Sequence, residues 1–117
     1  MGGTTFETFQ PGKLVDAAFQ DAQKHARYTY GHGGYTGTIA EKDGYRIINL
    51  DTWNLHVNNE AGMPYQKALS FARQLVEQRD SRIDDKWGPA GALRVKQRAS
   101  KNQPRMDGWL FFGWASE

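Results

Sequence analysis

At 117 residues, with a formal charge of +2, 38% hydrophobic and 13% aromatic residues, the chain has apolar material for one core and too little length for two. It contains no cysteine, which excludes disulfide staples, cysteine-based zinc sites and a thiol nucleophile. No apolar run approaches the roughly 18 residues needed to span a bilayer, and Met1 to Thr5 begin no signal segment, so a single cytoplasmic domain without a membrane anchor is expected.

Thr4, Thr5, Phe6, Glu7, Thr8 and Phe9 are β-prone and are followed by the turn formers Gln10, Pro11 and Gly12, which predicts a first strand. From Lys13 to Tyr30, Val15, Phe19, Ala22 and Ala26 recur at helical spacing, joined by Leu14 and Ala18, and Gly31 is a natural stop. Tyr35 to Lys42, Asp43-Gly44 and Tyr45 to Leu50 then read as a β-hairpin, because a type I′ turn needs positive φ at both central residues and Asp-Gly supplies it. Residues 51 to 63 show no clear period and read as an ordered connection pinned by Trp53 and Leu55.

Pro64 suits a first helical position, and Ala68, Phe71, Ala72, Leu75 and Val76 form an apolar stripe running to about Arg79. Ser81 to Gly91 reads as a loop containing Trp87. Leu93 and Val95 alternate with Arg94, Lys96 and Arg98, the pattern of a strand wet on one side. After a turn-rich stretch from Ser100 to Gly108, the near-continuous apolar run from Trp109 to Trp114 suits a strand covered on both faces.

Strand, helix, hairpin, helix, strand, strand is the order of a ferredoxin-like βαββαβ plan with an added C-terminal strand. The expected fold is therefore an α+β two-layer sandwich: an antiparallel sheet of four to five strands with both helices on one face. A two-layer arrangement with another strand order fits the same pattern.

Two groups of residues stand out as candidate sites. The segment from Gly31 to Thr38 holds four glycines and His32, and glycine lets a ligand approach backbone amides closely. It ends in neither a Walker lysine nor a dinucleotide fingerprint, so its alternative reading is a helix cap followed by an awkward crossing. A ligand site here would comprise His32, Gly33, Gly34, Tyr35 and Thr36, with Lys42 for charge and Trp87 as a stacking face. The second group, Arg94, Lys96, Arg98, Lys101 and Arg105, spans a stretch without an acid and would meet phosphates or an acidic protein surface. Its alternative is a solubilising strand face that discourages edge-to-edge pairing.

Other features carry less. His25, His32 and His56 are too dispersed for a metal motif, and His25 lies beside the apolar stripe of its helix. Adjacent Glu41 and Lys42 would point to opposite faces of a strand, unlike a Glu-x-Lys nuclease pair. Asp84 and Asp85 read as a solvated turn, so neither a metal nor a cofactor is implied.

Three segments carry a resemblance: Gly33-Gly34-Tyr35-Thr36-Gly37-Thr38-Ile39-Ala40-Glu41-Lys42, Lys86-Trp87-Gly88-Pro89-Ala90-Gly91-Ala92 and Phe111-Phe112-Gly113-Trp114-Ala115. They look like segments of small uncharacterised proteins encoded by bacteriophages and prophages. The resemblance implies a short accessory protein in the host cytoplasm that binds a host protein, a nucleic acid or a small signal, often as an inhibitor of host defence.

Three functional expectations follow. The first is a non-enzymatic inhibitor of a host protein or nucleoprotein complex, acting through the basic hairpin and the glycine-rich loop. The second is capture of a nucleotide-like ligand by that loop. The third is a phosphodiester- or nucleotide-acting enzyme with His32 as acid or base and Lys42 stabilising charge. The oligomeric state is open, a homodimer included.

Overall fold

The computed structural model describes residues 3–30, 38–48, 63–81, 83–85 and 87–116. The Thr/Phe-rich opening forms β1, Gly3–Pro11, and the helical period that follows forms α1, Val15–Tyr30. A 3₁₀ turn, Ile39–Glu41, leads to the short strand β2, Tyr45–Ile47. Then come α2, Tyr65–Glu77, and two long strands, β3, Ala90–Gln97, and β4, Met106–Ser116.

The sheet order is β1-β4-β3-β2. β4 runs antiparallel to both β1 and β3, whereas β2 runs parallel to β3, so β1, β2 and β3 share one direction. The fold is α+β with a mixed four-stranded sheet, and the expected purely antiparallel sheet with a fifth strand is not found among the described residues. Ile48 donates its N–H to Ala92, and Met63 bonds Arg94 and Lys96 of the same strand, so the chain leaves the β2 edge at Ile48 and returns to it at Met63.

The Asp43-Gly44 hairpin is likewise replaced. Neither residue has positive φ, which a type I′ turn requires, and positive φ among the described residues is confined to Arg79, Gly12 and Gly113. Thr38 caps the 3₁₀ turn by accepting a hydrogen bond from the Ala40 N–H at 3.2 Å. The turn occupies residues that the hairpin needed for its first arm; residues 35–37 and 49–50 of the two arms lie outside the described residues. Trp53, Leu55 and His56 lie outside them as well.

The helices pack on opposite faces, not on one. Ala18, Phe19, Ala22 and Ala26 of α1 meet Phe6, Ala92, Trp109 and Phe111, while Ala68, Leu69, Ala72 and Leu75 of α2 meet Leu93, Val95, Leu110 and Phe112. Along β4 the two cores take alternate residues, as the pleat dictates. Chain direction supplies the reason: α1 carries the chain from the β1 edge to the β2 edge, and α2 carries it back toward the middle. Parallel crossovers are right-handed in nearly all folds, so reversing the direction of travel moves the second helix to the other face.

Helix α2 is closed at both ends by its neighbours. The Tyr65 N–H donates to the Gln97 side chain at 3.0 Å, and at the C-terminus Arg79 N–H bonds Val76 and Asp80 N–H bonds Leu75. That pair of bonds is a Schellman motif, with Arg79 at φ 53° where glycine is usual.

Candidate functional site

Strand β3 lies inside the sheet, between β2 and β4, and six consecutive residues from Ala90 to Val95 are buried. The alternation of apolar and basic residues is therefore not that of a half-wetted strand, and β3 has no free edge to protect. Arg94 is the residue that misleads. Its guanidinium, only 8% exposed, donates to the Gly108 carbonyl at 2.8 Å, to the Val95 carbonyl at 3.3 Å and to the Asp107 carboxylate at 2.5 Å, and stacks over Trp109. It is a structural cation, separate from the exposed stripe expected to include it.

The remaining four cations differ. Lys96, Arg98, Lys101 and Arg105 are all exposed, and none of the four side chains makes an ion pair among the described residues. They sit on and around the β3–β4 hairpin, whose tip is closed by paired backbone bonds between Ser100 and Gln103 at 2.8 and 3.3 Å. Gln97 braces the base, donating to the Pro104 carbonyl at 2.7 Å while its oxygen holds the start of α2. The Asp107 carboxyl is held below the usual carboxylate range, first by its hydrogen bond from Arg94 and further by the charges of Arg94, Lys96 and Arg105. The acid nearest the hairpin is thus already committed.

Exposed Lys13, which no pattern of composition or spacing marks out, belongs to the same end. The Gly12 N–H bonds the Asp107 carbonyl at 3.1 Å, and the Trp109 indole donates to the Lys13 carbonyl at 3.2 Å. Gly12 at φ 132° makes the turn that brings Lys13 there.

Lys42 and Trp87 do come together, in a different role from the one expected. Lys42 is 2% exposed, and its ammonium donates to the carbonyls of Asp85 at 3.1 Å and Gly88 at 3.0 Å, gripping the loop that carries Trp87. Burial lowers its pKa to about 8, partly offset by the charge of Asp85. Gln23 of α1 secures the same turn, donating to the Ile39 carbonyl at 3.2 Å and to the Lys42 carbonyl. Trp87 is 53% exposed, and its N–H bonds the Asp85 carboxylate at 2.9 Å. His32, Gly33, Gly34, Tyr35 and Thr36 lie outside the described residues.

His25 is exposed and lines a groove beside β1, away from both groups. Trp109 is buried in the α1-side core, whereas Trp114 is half-buried beneath Arg79 at 4.8 Å, with its indole N–H unbonded. No cluster of three or more histidine or carboxylate side chains suited to a metal occurs among the described residues. None of the described helices is long and apolar enough to cross a membrane.

Comparison with models of protein families, with curated proteins and with solved structures returned no match.

Proposed function

We propose that this chain is a non-enzymatic binding protein that docks the cationic end of its β3–β4 hairpin on an acidic surface of a partner. The supporting observation is the separation of the basic residues into two sets: Arg94 is consumed internally, while Lys96, Arg98, Lys101 and Arg105 project from a braced hairpin without an anionic partner in the described chain. Fixed cations on a rigid support steer association and set register more than they add raw affinity. The phage resemblance makes a host protein or nucleoprotein complex the proposed partner, with inhibition as the outcome of docking.

Capture of a nucleotide-like ligand finds less support. Trp87 is half exposed, but the ammonium assigned to phosphate, Lys42, is buried against two carbonyls.

The test is capture of the partner from bacterial lysate with the tagged protein and with an Arg98→Glu, Lys101→Glu, Arg105→Glu variant, followed by titration of the purified partner. Affinity should fall at least about tenfold on charge reversal and should weaken between about 50 and 200 mM salt. Equal affinity of the two proteins would remove the hairpin end as the contact.

A further inference from the structure

Among the described residues, strand β1 is an open edge of the sheet. Its register with β4 runs without interruption from Gly3↔Ser116 to Pro11↔Gly108. One step further, Gly12 donates to Asp107, so the even-numbered residues of β1 turn their backbone groups toward β4 and Gly3, Thr5, Glu7 and Phe9 turn theirs outward. Pro11 occupies the next outward position, where its missing N–H costs no bond to β4. Strand β2, at the other edge, is only three residues long, so β1 is the long template.

A groove lined by β1 and helix residues lies on each side of this edge. On the α2 side a groove of about 480 Å³ is lined by Thr5, Glu7, Arg73, Val76, Arg79 and Trp114. On the α1 side a second groove of about 430 Å³ is lined by residues including Thr8, Ala22, His25 and Thr29. A further strand laid along β1 would place alternate side chains in the two grooves.

We infer that the strand filling this edge is β1 of a second copy, paired antiparallel about a two-fold axis at Phe6. Three observations select the copy and its register. With Phe6 opposite Phe6, all four outward residues of each strand are used: Gly3 opposite Phe9, Thr5 opposite Glu7, and the reverse, with Pro11 beyond the end. The one charged residue of β1, Glu7, then faces Thr5, whereas a shift that centres Glu7 would set like charges opposite each other. Glu7 of the copy, already held by its own Arg73 at 2.8 and 3.1 Å, also lands across Thr5 from Trp114 and Arg79, so Arg79, with no anionic partner among the described residues of its own chain, would join that ion pair as a second cation. The α1 face receives Thr4 opposite Thr8. The product is a continuous sheet of twice four strands with the cationic hairpins at opposite ends, so like charges are kept apart and two docking ends are presented.

Sedimentation analysis of the full chain, with two position-5 variants and a cysteine pair, tests the assignment. Thr5 is exposed, so both changes leave the monomer core intact. The protein should form a dimer at tens of micromolar. Thr5→Asp, opposed to Glu7 of the copy, should weaken the dimer at least tenfold, and Thr5→Lys should preserve or tighten it. An oxidised mixture of Thr4→Cys and Thr8→Cys proteins should cross-link, since the chain has no other cysteine, while each variant alone should not. A monomer at every concentration would overturn the inference. Equal dimerisation of the Asp and Lys variants, or cross-linking of either cysteine variant alone to the level of the mixture, would overturn the register.

Discussion

Lys42 shows how a side chain's partners determine its role. Its folded-state pKa of about 8 lies below the ordinary 10.5, so from about pH 8 upward the unfolded chain retains a proton that the folded protein has released, and stability rises with pH. Tyr45 acts the other way. Burial and its hydrogen bond to Asp16 raise its pKa from 10.0 to about 12, so above pH 10 the unfolded chain loses a proton that the folded protein keeps. Denaturation midpoints measured across this range should rise from about pH 8 to about pH 10 and then turn down, and Lys42→Met should flatten the rising limb. Arg94→Met leaves the partly buried Asp107 carboxylate and the Gly108 carbonyl without their donor and should cost about 2–4 kcal/mol in chemical denaturation. At Arg79, glycine relieves the left-handed backbone while losing the stack on Trp114, whereas alanine loses the stack and keeps the strain. Arg79→Gly should therefore be more stable than Arg79→Ala by about 1 kcal/mol. The sequence placed Arg94 and Lys42 on the surface because composition and spacing report residue type, while their partners, Asp107 and the Asp85–Gly88 loop, lie 13 and 43 or more positions away.

Among the elements, both helices and the strands β1, β3 and β4 were legible because each has a sustained period or an unbroken β-prone run. The apolar stripe of α2 and the covered run of β4 emerge as expected, with Ala68, Ala72 and Leu75 on one side of the sheet and Trp109 and Phe111 on the other. The segment around Asp43-Gly44 was misread because a dipeptide that favours a hairpin does not compel one. Here Thr38 caps a 3₁₀ turn, Gln23 and Lys42 fasten it, and Tyr45 goes on to pair in parallel with β3. The antiparallel join of β1 and β4 also depends on one absent side chain. A Cβ on Gly108 would lie 2.2 Å from the Gln10 carbonyl oxygen, so Gly108→Ala must push two backbones apart and should cost at least about 2 kcal/mol, measured by urea denaturation. The same change would displace the Gly108 carbonyl from Arg94 and couple the sheet to the cationic end.

At the scale of the whole molecule, the α+β class was legible and the layering was not. Element order alone does not show that α1 spans the full width of the sheet while α2 steps back one place, and that reversal divides the helices between two faces. The same topology buries β3 and leaves only its end, with the β3–β4 connection, to carry charge into water. Four of the five basic residues selected from the sequence remain on that surface, and Lys13 joins them through a glycine turn that spacing did not connect to the hairpin. Cations that hold the fold are distinct from the cations proposed to meet a partner, and paired measurements of stability and binding test that separation directly. The Arg98→Glu, Lys101→Glu, Arg105→Glu protein should melt within about 3 °C of the parent, as exposed substitutions do, while binding the captured partner at least about tenfold more weakly. Unchanged affinity in a protein of unchanged stability would contradict the assignment of the hairpin end as the docking surface.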